Sequence, residues 1–212
     1  MSVLKSVVTR TLLSALLLAP GAALAASITF TFETTIQGAI NGSPFATDMT
    51  IVSLGDTDNR IGAGFGDVNY IPSDVAYVEL AGIGRYDFLF PTSTYLDQTP
   101  PTYWPFLESH AGFTVGNSIF SGDILRTGKD AQFDTWQMDS PFGPFTGWGN
   151  VQATAFYGPL PTSGGDLSFD SVGGRFVTFT AQLGDHTNQV PLPGTLYLVA
   201  LAGAALVLRR SG

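Results

Sequence analysis

Side chains able to do acid–base or ligand chemistry are sparse in this chain. His110 and His186 are the two histidines, Glu33, Glu79 and Glu108 the three glutamates, and no cysteine occurs in 212 residues. The missing thiols exclude disulfide scaffolds, zinc–thiolate and iron–sulfur sites, and cysteine nucleophiles. Glu108-Ser109-His110 sets a carboxyl and an imidazole two residues apart, on one face of an extended segment. That spacing suits an acid–base pair or a metal site completed by other carboxylates, although a structural role for both is the commoner outcome. His186 stands in a polar stretch and reads as solvated. Glycoside hydrolysis needs two carboxyl groups facing each other across the bond. No spacing here selects such a pair, so the glutamates read as exposed strand or loop carboxylates. Asp56-Thr57-Asp58-Asn59 groups oxygen ligands as calcium prefers, with Asp56 and Asp58 the candidate pair. The segment lacks the closing glutamate of an EF-hand loop and is built of residues that turns use anyway. Gly62-Ala63-Gly64-Phe65-Gly66 reads as a flexible turn, without the helix that phosphate binding requires. The expectation is a protein with no catalytic residues, no metal and no cofactor: not an enzyme.

Aromatic residues in Pro/Gly-rich surroundings are the better functional hint. Tyr103-Trp104-Pro105-Phe106 is one such segment, and Pro141-Phe142-Gly143-Pro144-Phe145-Thr146-Gly147-Trp148 is the other. Both read as exposed loops. Flat rings beside Asp and Asn suit stacking on sugars, which makes Tyr103, Trp104 and Trp148 candidate glycan contacts. The competing and commoner use of such rings is to cap the open ends of a core.

The elements that would position these residues read as strands. Gly 25 and Pro 13 together make 38 of 212 residues, well above the roughly 12% usual share, which favours a turn-rich β protein. Ser27 to Glu33 alternates apolar Ile28, Phe30 and Phe32 with polar neighbours, the period of a half-buried strand. Tyr86, Phe88 and Phe90 repeat the pattern, as do Val177, Phe179, Ala181 and Leu183. Further strands are expected at 48–54, 75–80, 112–120, 131–138, 151–157 and 166–172. Turn material separates them at 55–59, 62–67, 99–101 and 163–165. No helical stripe longer than three turns interrupts 26–190. Short strands at this spacing, with all 16 Phe lying between them, predict an all-β domain: an antiparallel β-sandwich or jelly roll over 26–184.

Both ends of the chain read differently. Residues 1–25 resemble a secretory signal peptide in layout. Lys5 and Arg10 precede the apolar run Leu12 to Ala19, and Ala23 and Ala25 supply small residues before a cleavage that leaves Ala26 first. Residues 185–189 form a short polar linker. Thr195 to Leu208 is free of charge and is followed by Arg209-Arg210. As a helix it would rise about 21 Å, a marginal transmembrane span unless tilt, thinning and arginine snorkelling help. With the N-terminus exported, Arg209 and Arg210 fall on the cytoplasmic side, as the positive-inside rule asks. Between the ends, 26–190 holds all 17 carboxylates against Arg60, Arg85, Arg126, Lys129 and Arg175, which leaves −12 where the whole chain shows −8. Such a domain disfavours nucleic acid and acidic lipid as partners. The mean hydropathy of +0.22 owes part of its height to the two ends.

Ahead of the C-terminal apolar run stands Val190-Pro191-Leu192-Pro193-Gly194. The two prolines hold the backbone extended and free of helix just outside the membrane, where a processing enzyme can reach it. The ordered set of Val-Pro-x-Pro, short apolar helix and Arg-Arg over 190–212 resembles the PEP-CTERM sorting signal, with Leu192 where Glu is usual. The resemblance implies an exosortase as partner, alongside signal peptidase and the general secretion machinery. It also implies transient insertion in the inner membrane of a Gram-negative bacterium, then release to the cell surface or extracellular matrix. Association with exopolysaccharide and biofilm is implied likewise. A carbohydrate-binding module and, less favoured, a secreted glycan-active enzyme are the alternatives for the domain itself.

Overall fold

The computed structural model describes residues 26–62, 67–98, 109–116, 122–151, 158–170 and 172–184. The signal peptide, the linker 185–189, the segment 190–212, Tyr103, Trp104, Glu108 and His186 lie outside the described residues. Among those described, no helix is long and apolar enough to cross a membrane, and the expected apolar helix at 195–208 is not among them.

Among the described residues the domain has twelve antiparallel strands. In chain order they are β1 (Ser27–Ile40), β2 (Ser43–Asp56), β3 (Ile61–Gly62), β4 (Val68–Leu80), β5 (Gly84–Asp87) and β6 (Thr92–Asp97). Then come β7 (His110–Val115), β8 (Asp123–Arg126), β9 (Phe142–Val151), β10 (Leu160–Thr162), β11 (Gly165–Phe169) and β12 (Val172–Leu183). The all-β, antiparallel expectation holds. The two-sheet sandwich does not: eight strands close in the order β1, β12, β9, β8, β7, β6, β4, β2 into a barrel. The seam is the β1–β2 hairpin, which pairs without interruption from Ser27↔Asp56 to Ile40↔Ser43. Closure removes the free edges that a sandwich keeps. Inward–outward alternation has the same period in both architectures, so the pattern of apolar residues does not separate them.

An eight-stranded barrel has an interior that side chains can fill. Here rings fill it. Ile28, Phe30 and Phe32 of β1 point inward with Phe113, Val177 and Phe179, each fully buried. Phe32 and Phe179 approach to 4.8 Å between ring centroids. At the end where β1 begins, Phe133, Trp136 and Phe142 join Phe179, with Phe133–Phe142 and Trp136–Phe142 both at 4.7 Å. Elsewhere in the same core lie Leu160, Leu167 and Phe169 from the β10–β11 hairpin. That hairpin pairs with the far half of β1 at Gly38↔Phe169 through Ile40↔Leu167.

Several local expectations need correction. Residues 131–138 form no strand. Asp130 caps a 3-10 turn at Ala131–Asp134 by accepting the Gln132 N–H, and Gln98 Nε2 donates to the carbonyls of Phe133 and Trp136. Side-chain capping thus takes over the backbone that the alternation assigned to a ladder. The segment 141–148, read as an exposed loop, lies from Phe142 onward in strand β9 (Phe142–Val151). Tyr86 and Phe88 do not share one long strand, since β5 ends at Asp87 and Phe88 makes only a bridge to Thr162. Strands β3, β6, β8 and β10 are not among the expected ones; of the expected 112–120 the residues to 116 are described, and of 151–157 Val151.

Candidate functional site

β9 carries the change that matters most for function. Its inward positions are Phe145, Gly147, Gly149 and Val151, and its outward positions include Thr146 and Trp148. A Cβ on Gly147 would come within 2.6 Å of the Phe145 ring. The glycine thus makes room for a large inward neighbour on the same strand. Phe145 joins the core and Phe142 packs against it, whereas Trp148 is 65% exposed. Strand parity thus puts Phe145 in the core and Trp148 on the surface, and the register shift between Phe179 and Ala181 turns Phe142 inward as well.

Trp148 lies directly across from Phe176 of β12, which is also 65% exposed. The two rings pack edge to face at 5.2 Å and 85°. Such packing is favourable for aromatic pairs and leaves ring surface of both residues in water. Sequence reasoning missed Phe176 because its neighbours Arg175 and Val177 were read only as the start of a strand. The alternation that buries Val177, Phe179 and Ala181 would have placed it outward.

Beside the pair the wall is indented by an open depression of about 650 Å³, lined by Glu33, Thr35, Asp48, Thr50, Trp148, Arg175, Phe176 and Thr178 among others. Its origin is the way β1 changes partner. β1 pairs with β12 from Ile28 to Glu33 and with β11 from Gly38 to Ile40. In between, the Thr34 hydroxyl donates to the Phe176 carbonyl at 2.9 Å, and Arg175 Nη1 donates to Thr35 Oγ1 at 2.8 Å. Side chains thus replace the ladder where the strands part. Thr146 and Thr178, hydrogen-bonded at 2.9 Å, continue the polar surface. Exposed rings beside hydroxyls and carboxylates can stack on a sugar face and hydrogen-bond its rim.

A second locus lies on the outer face of β4, β6, β7 and β8. Tyr95 is fully buried there, its ring seated where Gly112 lacks a Cβ that would meet it at 2.4 Å. The phenol is hydrogen-bonded to Asp123 and stands 3.4 Å from His110 Nε2. His110 is directly opposite Asp97 in the ladder, and both are buried. Burial raises the Tyr95 pKa well above the ordinary 10.0, and the Asp123 charge pushes the same way while Arg126 opposes. The phenol is therefore held as a donor. This makes His110 part of a buried polar network.

The remaining candidates separate. Asp56 Oδ1 accepts the Asp58 N–H at 2.8 Å and so caps the 3-10 turn at Thr57–Asn59. Among the described residues no three His, Asp or Glu side chains group as a metal site. Glu33 and Glu79 are outward-facing and exposed, and Ala26 immediately precedes β1. Ala23, Ala25, Val190, Pro191, Leu192, Pro193, Gly194, Arg209 and Arg210 lie outside the described residues. Searches against protein-family models, curated proteins and solved structures each returned no match.

Proposed function

We propose that this chain is an exported, non-catalytic protein of the bacterial cell surface or extracellular matrix. It is secreted, cleaved after Ala25, held in the inner membrane through 195–208 and released by an exosortase acting at Val190–Gly194. The observation that carries the reading is the ordered set of proline motif, uncharged run and Arg209-Arg210, on a chain that also begins with a signal-like segment. The barrel supports it in one respect. All eight closing strands lie within 27–183, and Gly184 N–H donates to the Ser27 carbonyl at 2.8 Å, so both ends leave the domain side by side. Fractionation of the native host tests this: the chain moves from inner membrane to surface, and deletion of the exosortase strands it in the membrane. Equal surface release with and without the exosortase contradicts the reading.

A carbohydrate-binding role for the barrel is favoured by a separate observation, the exposed Trp148–Phe176 pair above a polar depression. Surface proteins seldom leave two adjacent large rings in water without a use. Full-length protein in mild detergent is expected to be retained on the host's polysaccharide, and Trp148→Ala to abolish retention. Retention unaffected by that substitution removes the reading.

A further inference from the structure

We propose that this wall takes an extended polysaccharide bearing free amino groups, in preference to a neutral or a uronate polymer. The proposal rests on the reading of Trp148 and Phe176 as glycan contacts and adds the ligand's shape and charge.

Shape comes from the continuity of the wall. Beyond the depression at Trp148 lies a second one of about 470 Å³, lined by Glu79, by the turn from Leu80 to Gly84 and by Arg85. The two share Asp48 and Thr50, so they form one trough. Its floor is a cross-strand row. Thr146, Thr178, Glu33, Thr50, Glu79 and Arg85 are successive ladder neighbours on β9, β12, β1, β2, β4 and β5. At about 4.8 Å per strand the row runs roughly 24 Å, longer than one sugar and suited to a chain of them. Arg85 closes the far end, its guanidinium carbon 3.4 Å above the Tyr77 ring.

Charge comes from what neutralises what. Arg85 pairs with Asp87 at 3.6 Å, whereas Arg175 is hydrogen-bonded to the neutral Thr35 and keeps its charge, so Glu33, Asp48 and Glu79 outweigh it in the trough. Among the described residues no cation lies within ion-pair distance of Glu33, Asp48 or Glu79. Thr50 separates Glu33 from Glu79 in the row by two strand spacings, roughly 10 Å. Aromatic rings at one end and carboxylates along the middle match a polymer that has flat sugar faces and repeated ammonium groups. A uronate polymer meets the same carboxylates and is repelled.

The test compares three probes of equal length on the detergent-solubilised full chain: a glucosamine oligomer, its fully N-acetylated counterpart and a galacturonate oligomer. At a mildly acidic pH, titration calorimetry should find the amine form bound about tenfold more tightly than the acetylated form. High salt should erase that preference. Glu33→Gln with Glu79→Gln should lower the amine form to the level of the acetylated one while leaving the latter unchanged, which also shows that the double variant is folded. Trp148→Ala should weaken both. Equal binding of the amine and acetylated forms, or binding of the uronate, overturns the amino-sugar proposal and leaves the glycan reading standing. Binding of none of the three overturns both.

Discussion

Tyr95 shows how a single residue of this barrel responds to its surroundings. Its phenol is neutral and buried, with a folded-state pKa above the ordinary 10.0 of the unfolded chain. As pH climbs, the unfolded chain loses that proton first. The stabilisation is complete below about pH 10 and falls by about 1.4 kcal/mol per pH unit above it, until the folded phenol ionises too. Tyr95→Phe should therefore flatten the alkaline limb of a stability–pH curve measured by urea unfolding, and should cost about 1–3 kcal/mol at neutral pH by removing the partner of buried Asp123. An unchanged alkaline slope contradicts the assignment. Trp148→Ala should do the opposite: change stability by no more than about 0.5 kcal/mol, because the indole is exposed, while removing glycan retention. The sequence made Trp148 a candidate from its type and its Gly-rich setting. It did not separate Trp148 from Phe145, which needs the strand's parity, or from Phe142, which needs the register shift at Phe179/Ala181, and a Pro/Gly-rich segment reads as loop. His110 was legible as a structural residue, but Tyr95 and Asp97 beside it come from β6, a strand too short and too polar to stand out.

At the scale of elements, turn chemistry decided more than apolar alternation. The β1–β2 seam turns at Asn41-Gly42, both at positive φ (49° and 78°), the residue pair a two-residue hairpin favours. That signal stood in the sequence and would have extended the first strand from 33 to 40. Asn41 also ties two hairpins together, donating from Nδ2 to the Gly164 carbonyl and accepting the Asp166 N–H on Oδ1, at 2.8 and 3.0 Å. Asn41→Ala should loosen β10 and β11, costing about 1–2 kcal/mol and speeding amide exchange at 165–169 while β6 and β7 keep their protection. Uniform loss of protection across the barrel would show that Asn41 does not act locally. The failure at 131–138 has the mirror-image cause. Ala131, Phe133 and Gln137 alternate plausibly, yet Asp130 caps a 3-10 turn and Met138 sits at φ 59°, neither of which alternation reveals.

The described domain is a closed barrel held by packed rings in a chain without disulfides. Phe179 contacts Phe30, Phe32, Phe133, Trp136 and Phe142. Phe179→Ala should cost about 3–5 kcal/mol, read as a drop in the denaturant midpoint. Composition foretold the Phe-rich all-β core; closure was beyond it, since closure depends on which strands pair at the two ends of the order. Residues 26–190 carry −12, and the two ends of the barrel meet at Ser27 and Gly184. The account stands on what happens to the segments beyond them, and intact mass of the protein recovered from the surface of its native host measures this directly. The account predicts a chain that begins at Ala26, ends within or just before Val190–Gly194, and lacks Arg209-Arg210, with Pro191→Ala plus Pro193→Ala blocking the C-terminal loss. A surface form that keeps residues 195–212, or a mass that the proline substitutions leave unaltered, would contradict it.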